Sequence, residues 1–154
     1  MQEGRTTLTV ELKLLDEGLE KPSYSHAGDA GADLRSTVDC ELLPGERRLI
    51  ATGVCMSLPF GYVGLIHPRS GLATKHGITI VNAPGTVDAG YRGEIAVTLL
   101  NTDGSDTFRI SRGDRIAQLI IQKVETADFK IVEELSPSAR GSGGFGSTGG
   151  FNSD

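Results

Sequence analysis

The chain has no tryptophan, only two cysteines, and fewer basic than acidic residues. Cys40 and Cys55 do not form a CxxC pair and each lies in an apolar run, so we expect reduced core thiols and no disulfide framework. Lysine and arginine number 15 against 20 aspartates and glutamates, which gives a net charge of −5. Because general nucleic-acid and membrane-surface binders depend on an excess of basic residues, this balance argues against both kinds of partner.

Long apolar runs are also missing. No run approaches the roughly 18 residues of a transmembrane helix, and the polar residues 1–7 contain no signal-peptide core. We therefore expect a cytoplasmic protein that has no membrane partner. A length of 154 residues fits a single domain with a sizeable core.

Long amphipathic helices are absent as well, and short strand patterns fill most of the chain. Residues 8–14 alternate apolar and polar side chains with a period of two, which indicates a half-buried strand. Further strand candidates, separated by turns rich in glycine and proline, are residues 38–42, 49–58, 62–67, 78–81, 95–101, 107–110, 116–124 and 129–135. Only residues 67–77 indicate a helical turn, which ends at Gly77. The pattern predicts an all-β fold, a jelly-roll-like sandwich or barrel of short strands.

The composition changes near residue 136, after which glycine and serine dominate. We therefore predict a β domain over residues 1–135 and a flexible C-terminal arm over residues 136–154. The arm also contains Arg140, Phe145 and Phe151. Since aromatic side chains are of little use to a tail that only keeps a protein soluble, we expect the arm to close over a site.

Several familiar sequence motifs are absent, incomplete, or lack the secondary structure that they require. Residues 144–149 fit GxGxxG, but no strand precedes them and no helix follows, and residues 141–148 lack the lysine of a P-loop. A GxSxG nucleophile elbow is absent. His26, His67 and His76 have no metal-ligand spacing, so we expect no zinc site.

The connection between the apolar runs at residues 78–81 and 95–101 gives the strongest chemical signal. Its proline and glycine pairs have the pattern of a hairpin, and its glycines let a ligand approach the main chain closely. Asp88 and Tyr91 project from this connection, so we place the chemistry there. From this stretch alone, Asp88 is equally consistent with a residue that only forms a turn.

Residues in other loops match the needs of a nucleotide phosphate. Arg69 can bind phosphate oxygens with its guanidinium fork, and Ser70-Gly71, at the start of the helical turn, offers backbone N–H groups to an anion. Asp29 and Asp33 are candidates for holding Mg²⁺ through water, because this ion sheds its hydration shell reluctantly. Turn formation is the alternative role for both aspartates.

Five segments, in this order along the chain, together resemble the motifs of the trimeric deoxyuridine triphosphatase (dUTPase) family. They are residues 28–34, 68–73, 82–94, 113–119 and 140–149. Each segment alone is a common kind of small loop, but all five in sequence are highly specific. The resemblance implies a jelly-roll-like β fold, a homotrimer, and active sites at subunit interfaces that are closed by the C-terminal arm of a neighbouring subunit.

The resemblance also implies the reaction. Water hydrolyses dUTP to dUMP and pyrophosphate, with Mg²⁺ on the triphosphate, which limits dUTP and supplies dUMP for thymidylate synthesis. By position, Asp88 is the catalytic carboxylate that orients and deprotonates the attacking water. Tyr91 packs beneath the deoxyribose and leaves no room for a 2′-hydroxyl, and Asp33 matches the water-mediated magnesium site better than Asp29 does.

The other family contacts fall into three groups. The uracil contacts, largely made by the backbone, are Asn82, Thr86, Val87, Asp88 and Ala96. The phosphate contacts are Arg69, Ser70, Gly71 and Gln118. The arm residues are Arg140, Phe145, Gly146, Ser147 and Thr148, and Phe145 is expected to stack on the uracil.

Two other functions stay open at this point. Related deoxycytidine triphosphate deaminases share the fold, but their arginine-rich second motif and a glutamate in place of Asp88 are not found here. A catalytically silent relative that binds nucleotide only to regulate a partner protein would keep the pocket. It should lose the base, and Asp88 is present.

Overall fold

The computed structural model describes residues 7–142, which form ten short strands and one short helix. The strands are β1 Glu11–Leu14, β2 Ala32–Arg35, β3 Cys40–Leu42, β4 Arg47–Ser57, β5 Tyr62–His67, β6 Ile78–Ile80, β7 Gly85–Val87, β8 Glu94–Asn101, β9 Phe108–Ile110 and β10 Arg115–Lys123. The helix, α1, is Ser70–His76. The prediction of an all-β fold is confirmed.

The strands form two four-stranded antiparallel sheets and one two-stranded sheet. The first sheet has the order β1-β4-β8-β6, the second has the order β2-β10-β5-β7, and the third pairs β3 with β9. Both large sheets contribute to one apolar core, so side chains alternate between buried and more exposed along strands such as β8. Leu34, Ile50, Leu99 and Ile116 are each 1% exposed. Burying one such side chain stabilises the fold by about 1.5–3 kcal/mol.

A β-bulge interrupts β4 where this strand pairs with the start of β8. The register shifts between Ala51 and Val54, which leaves Thr52 and Gly53 out of the ladder. Gly53 has a φ of +70°, a conformation that glycine adopts without strain. The buried hydroxyl of Thr52 donates a hydrogen bond of 2.6 Å to the C=O of Ile95. The bulge therefore holds the first residues of β8 in place.

The helix α1 confirms the helical turn predicted from the sequence and its end at Gly77, where φ is +63°. Arg69 precedes the helix in an extended conformation and no side chain caps this end. The first backbone N–H groups, which include those of Ser70 and Gly71, therefore lack a side-chain cap within the part of the chain that the structure describes. No helix in residues 7–142 is long and apolar enough to cross a membrane.

The connection over residues 81–94 is more than a hairpin. The flanking strands β6 and β8 do pair, with Ile80 opposite Leu99. Between them, however, the chain forms β7, which pairs with β5 in the other sheet. The connection therefore crosses from one sheet to the other, and Val87 of β7 is buried in the common core.

The strand predicted over residues 129–135 is wrong. In the described part of the chain, no strand follows β10, and Phe129 and Ile131 are 90% and 98% exposed. A strand-like run becomes a strand only where it pairs with a neighbouring strand edge, and this segment pairs with none in residues 7–142.

The two cysteines are free, as expected, but they are half-buried rather than enclosed in the core. Cys40 packs against the core residues, and burial raises the pKa of its thiol. A raised pKa keeps the thiol protonated at neutral pH, so Cys40 is a packing residue rather than a nucleophile.

Candidate active site

A pocket of about 200 Å³ lies between β7 and the start of β8. Six of the site residues expected from the sequence line it: Asn82, Thr86, Val87, Asp88, Tyr91 and Ala96. The other lining residues are Ile66, Ile80, Gly85, Glu94, Ile95 and Val97. The structure therefore brings together the residues expected at the uracil, the sugar and the attacking water.

The pocket lies between two strand edges. β7 is at the edge of its sheet, with β5 as its neighbour, and β8 extends beyond the last residue of β6. The N–H of Val81, directly after β6, donates to the C=O of Thr98 at 3.0 Å. The main-chain groups of Thr98 therefore point to the side of β8 on which β6 lies. Because this direction alternates along a strand, Ala96 directs its main-chain groups to the same side, where β6 has ended. The pocket is thus lined by main-chain donors and acceptors.

Asp88 directly follows β7 and lies exposed at the pocket. Its backbone C=O accepts the N–H of Tyr91 at 3.0 Å and closes a turn. Arg92 braces this turn by donating from Nη1 to the C=O of Ala89 at 2.6 Å and to that of Tyr91 at 2.9 Å. Among residues 7–142, no side chain or backbone group bonds to the Asp88 carboxylate, so this carboxylate can accept a proton from water.

Tyr91 forms part of the pocket wall and is 46% exposed. Its hydroxyl donates a hydrogen bond of 2.9 Å to the C=O of Glu94. The ring lies over Gly93, because a Cβ placed on that glycine would be only 2.6 Å from the Tyr91 Cζ. The aromatic ring is therefore held against the backbone at Gly93, within the wall of the pocket.

Asp33 is the centre of a second polar group. It lies in β2, is 6% exposed, and accepts a hydrogen bond from the Ser25 hydroxyl at 3.1 Å. Its Oδ2 is 3.2 Å from Nη1 of Arg115, and its Oδ1 is 3.3 Å from Nε of Arg69. The Arg69 contact is an ion pair whose atoms are not aligned for a hydrogen bond, so both atoms keep unused hydrogen-bonding capacity. The two guanidinium groups offset the cost of burying the carboxylate.

The order of the second sheet explains this grouping. Gln118 on β10 lies opposite Asp33 on β2 and opposite His67 at the end of β5. Arg69 follows β5 by two residues and leads directly into Ser70 of α1. The expected phosphate contacts are thus neighbours, but none of them lines the 200 Å³ pocket.

The family model described as dUTPase matches residues 18–149 of this sequence. The chain belongs to the dUTPase family. Two of its relatives are named deoxyuridine 5'-triphosphate nucleotidohydrolase. The protein of Thermobifida fusca (strain YX) is 62% identical over 144 residues, which cover 94% of this chain and 80% of the relative. The protein of Corynebacterium glutamicum is 55% identical over 140 residues, which cover 91% of this chain and 94% of the relative.

Solved dUTPase structures have the same fold. The dUTPase of Staphylococcus bacteriophage 80alpha with dUPNHPP has a TM-score of 0.86 and 36% identity, over 93% of this chain and 99% of that chain. A mutant dUTPase from phage phi11 of S. aureus, described with the coordination of a structural Mg(II) ion, has a TM-score of 0.76 and 32% identity. That match covers 84% of this chain and 100% of the phage chain.

In this dUTPase, Asp33 is the residue expected to contact Mg²⁺, and its surroundings suit such a contact. No three His, Cys, Asp or Glu side chains within residues 7–142 are grouped as ligands of a metal ion. The buried Oδ1 of Asp33 makes no hydrogen bond in that range and fits one contact through water. A single carboxylate oxygen fits an ion that arrives with the phosphates of a substrate, rather than an ion held by protein side chains alone.

Asp29 has a local structural role. Its Oδ2 accepts the backbone N–H of His26 at 2.8 Å and lies 3.5 Å from the Nδ1 of the same histidine. These contacts close a turn, which is the alternative that the sequence left open for this aspartate.

The rest of the dUTPase site expected from the sequence is in the C-terminal arm. The residues that lie outside the described range are Phe145, Gly146, Ser147 and Thr148. Arg140 is described and exposed, in a turn where the N–H of Gly141 donates to the C=O of Ser138 at 3.2 Å.

Arg115 and Glu94 are not among the site residues expected from the sequence, although both lie within the segments that resemble the family motifs. Arg115 contacts Asp33, and Glu94 lines the pocket. The only signal for either residue is a charged side chain that begins an apolar strand.

Proposed function

We propose that this chain hydrolyses dUTP to dUMP and pyrophosphate, and so limits dUTP and supplies dUMP for thymidylate synthesis in the cytoplasm. Membership of the dUTPase family and relatives named deoxyuridine 5'-triphosphate nucleotidohydrolase support this reaction. The observation that carries it is the exposed carboxylate of Asp88 beside a pocket lined by main-chain groups.

In the proposed reaction, Asp88 accepts a proton from a water molecule whose oxygen attacks the α-phosphorus. The new P–O bond forms while the bond to the oxygen that bridges to the β-phosphorus breaks, and pyrophosphate leaves. A general base of this kind contributes about 10²- to 10⁴-fold to the rate. Positioning of the phosphates and neutralisation of their charge supply the remainder.

The pocket between β7 and β8 is the proposed site for the base and the sugar. Main-chain groups near Thr86, Val87 and Ala96, with the side chain of Asn82, match the edge of uracil and leave cytosine with unpaired groups. Tyr91 lies beneath the deoxyribose and excludes a 2′-hydroxyl. The pocket volume of about 200 Å³ suits a base and part of a sugar rather than a whole nucleotide.

The phosphates are proposed to bind the group around Asp33. Arg69 and Gln118 provide donors, and Ser70-Gly71 provides backbone N–H groups at the start of α1. Mg²⁺ on the triphosphate would neutralise phosphate charge, and Asp33 would contact it through water.

The active enzyme is proposed to be a homotrimer in which each site combines several subunits. The support is that Arg69 and Gln118 do not line the pocket of their own chain, so one chain presents the two halves of a site separately. The arm, residues 136–154, would then close over the site of a neighbour. Its contributing residues would be Arg140, Phe145, Gly146, Ser147 and Thr148.

Pyrophosphate release from dUTP, dCTP, dTTP and UTP, measured in parallel with Mg²⁺ and then with a chelator, tests this proposal. We expect release from dUTP alone and its loss with the chelator. Deamination of dCTP would point instead to a deaminase. Binding of dUTP without turnover would point to a silent nucleotide-binding protein.

A further inference from the structure

Gly93 and Glu94 set the position of the Tyr91 ring. Neither the segments that resemble the family motifs nor the proposed chemistry gives these two residues a role. A Cβ on Gly93 would lie 2.6 Å from Cζ and 3.0 Å from Cε2 of the Tyr91 ring, so only glycine leaves space for the ring. The Tyr91 hydroxyl donates to the C=O of Glu94 at 2.9 Å. The position of the ring therefore depends on where the backbone of Glu94 lies.

The Glu94 backbone is in turn anchored to the bulge in β4. The half-buried carboxylate of Glu94 accepts the N–H of Gly53 at 2.8 Å, although the two residues are far apart in sequence. The neighbouring Thr52 bonds to Ile95, so the bulge makes hydrogen bonds to two consecutive residues of β8. Gly53 is itself held from behind, because its C=O accepts the N–H of Leu15 at 2.8 Å.

We propose that Glu94 is a positioning residue for sugar discrimination, which acts through the Tyr91 ring. A hydrogen bond to an ionised carboxylate is among the stronger bonds in a protein, and here it fixes the residue that receives the Tyr91 hydroxyl. Without it, the ring gains freedom to move away from the pocket and to admit a 2′-hydroxyl. This inference rests on the proposed hydrolysis of dUTP and on the proposed place of Tyr91 beneath the sugar.

The test compares kcat/KM for dUTP and UTP in Glu94→Met and Glu94→Gln. Methionine has a similar length and no oxygen to accept the Gly53 N–H, whereas glutamine keeps an amide oxygen at that place. We expect Glu94→Met to raise the ratio of UTP to dUTP kcat/KM about tenfold, the factor that a bond to a charged group commonly contributes. The matched control, Glu94→Gln, keeps an acceptor for the Gly53 N–H but loses the charge, so it should raise the ratio less than Glu94→Met does, by about threefold at most.

A second variant reaches the same ring without changing Glu94. Gly93 does not have a positive φ, so Gly93→Ala is compatible with the backbone, and its methyl group displaces the Tyr91 ring. We expect this variant also to raise the UTP to dUTP ratio. Thermal unfolding of each variant shows whether the fold is retained.

Several results would overturn the inference. One is a folded Glu94→Met or Gly93→Ala enzyme with an unchanged ratio, and another is an equal loss of both activities. If Glu94→Met does not fold, the ratio is compared in Glu94→Gln, and an unchanged ratio in Gly93→Ala still overturns the inference. Wild-type protein that releases no pyrophosphate from dUTP would overturn the proposed function first, and this inference with it. An active wild-type enzyme with unresponsive variants would overturn this inference alone.

Discussion

Three aspartates, Asp29, Asp33 and Asp88, differ in what surrounds them, and this difference separates their chemistry. Asp29 bonds to the backbone of His26 within its own turn. Asp33 is buried between Arg69 and Arg115, where its charge is offset. Asp88 is exposed at the pocket, and no other group in residues 7–142 bonds to its carboxylate. Of the three, only Asp88 has a carboxylate that combines exposure at the pocket with no hydrogen bond or ion pair to another group in residues 7–142.

We predict that Asp88→Asn lowers dUTP turnover by about 10²- to 10⁴-fold, because an amide cannot act as the base. Binding of dUTP should survive, since the proposed phosphate and uracil contacts do not depend on that charge. Steady-state pyrophosphate release and calorimetric titration with dUTP measure the two effects. Glu11→Gln, which removes an exposed carboxylate from β1, is the control and should leave turnover unchanged. Normal turnover by Asp88→Asn would refute the assignment of the base.

Acidic side chains form hydrogen bonds and ion pairs that stabilise several of the loops that connect the strands. Asp16 bonds to Arg112 through both carboxylate oxygens, at 2.6 and 3.0 Å, and these bonds hold the pKa of Asp16 below its ordinary value of 3.8. The backbone N–H of Leu43 and the side chain of Arg48 lower the pKa of Glu46 in the same way. The loops are therefore stabilised by ionised carboxylates that are paired only in the folded chain.

These lowered pKa values predict a loss of stability in acid. A carboxyl group whose pKa is lower in the folded state contributes stability above its unfolded pKa, and this contribution disappears as the pH falls through the folded pKa. We expect the melting temperature to fall below about pH 4, and to fall less steeply in Asp16→Asn. Glu17→Gln, at the exposed neighbouring position, should follow the wild-type curve. Parallel curves for wild type and Asp16→Asn would contradict the role given to the pair with Arg112.

The segment that follows β10 in the described part of the chain, residues 124–142, contributes little to the fold of its own chain. Residues 124–142 are exposed, and Phe129 and Ile131 have almost no cover from the rest of residues 7–142. The composition changes near residue 136, and the strand predicted just before it is wrong. A strand-like run of side chains is local information, whereas the partner edge that completes a strand is not.

We predict that a chain ending at Pro137 keeps its fold and loses its activity. Its melting temperature should change by less than about 3 °C, which corresponds to roughly 1 kcal/mol in a domain of this size. Pyrophosphate release from dUTP should fall about 100-fold, because the triphosphate loses the groups that would position it. Unfolding or aggregation of the shortened chain would instead make the arm part of the structural core.

One part of the candidate site could be predicted from the sequence, and the other part could not. Asn82, Thr86 and Asp88 come together because one connection contains all three. The group of Asp33, Arg69 and Arg115 depends on the strand order β2-β10-β5, which brings together residues from three distant segments. No local pattern encodes that order, and Asp33 and Arg69 were grouped beforehand only through the chemistry of their side chains and the resemblance to a family.

The separation of these two parts predicts that active sites are shared between subunits. We expect Asp88→Asn and Arg69→Ala to be inactive alone and to regain activity when the two chains are co-expressed. Random mixing should restore about a quarter of the wild-type sites if each site takes Asp88 from one chain and Arg69 from another. Sedimentation equilibrium should show trimers in every sample. Trimers without any regained activity would place each complete site within one chain.

The main-chain edges around the pocket also bear on how this protein can evolve. A pocket read by side chains can be given a new preference by one codon change, but main-chain donors at β7 and Ala96 are the same whichever side chains are attached. A change of preferred base would then require the two strand edges to move in addition to any substitution of Asn82, and both edges are tied to the core through Val87 and Ile95. We therefore expect random mutagenesis to yield many variants that are slower or unstable, and very few that have exchanged one base for another.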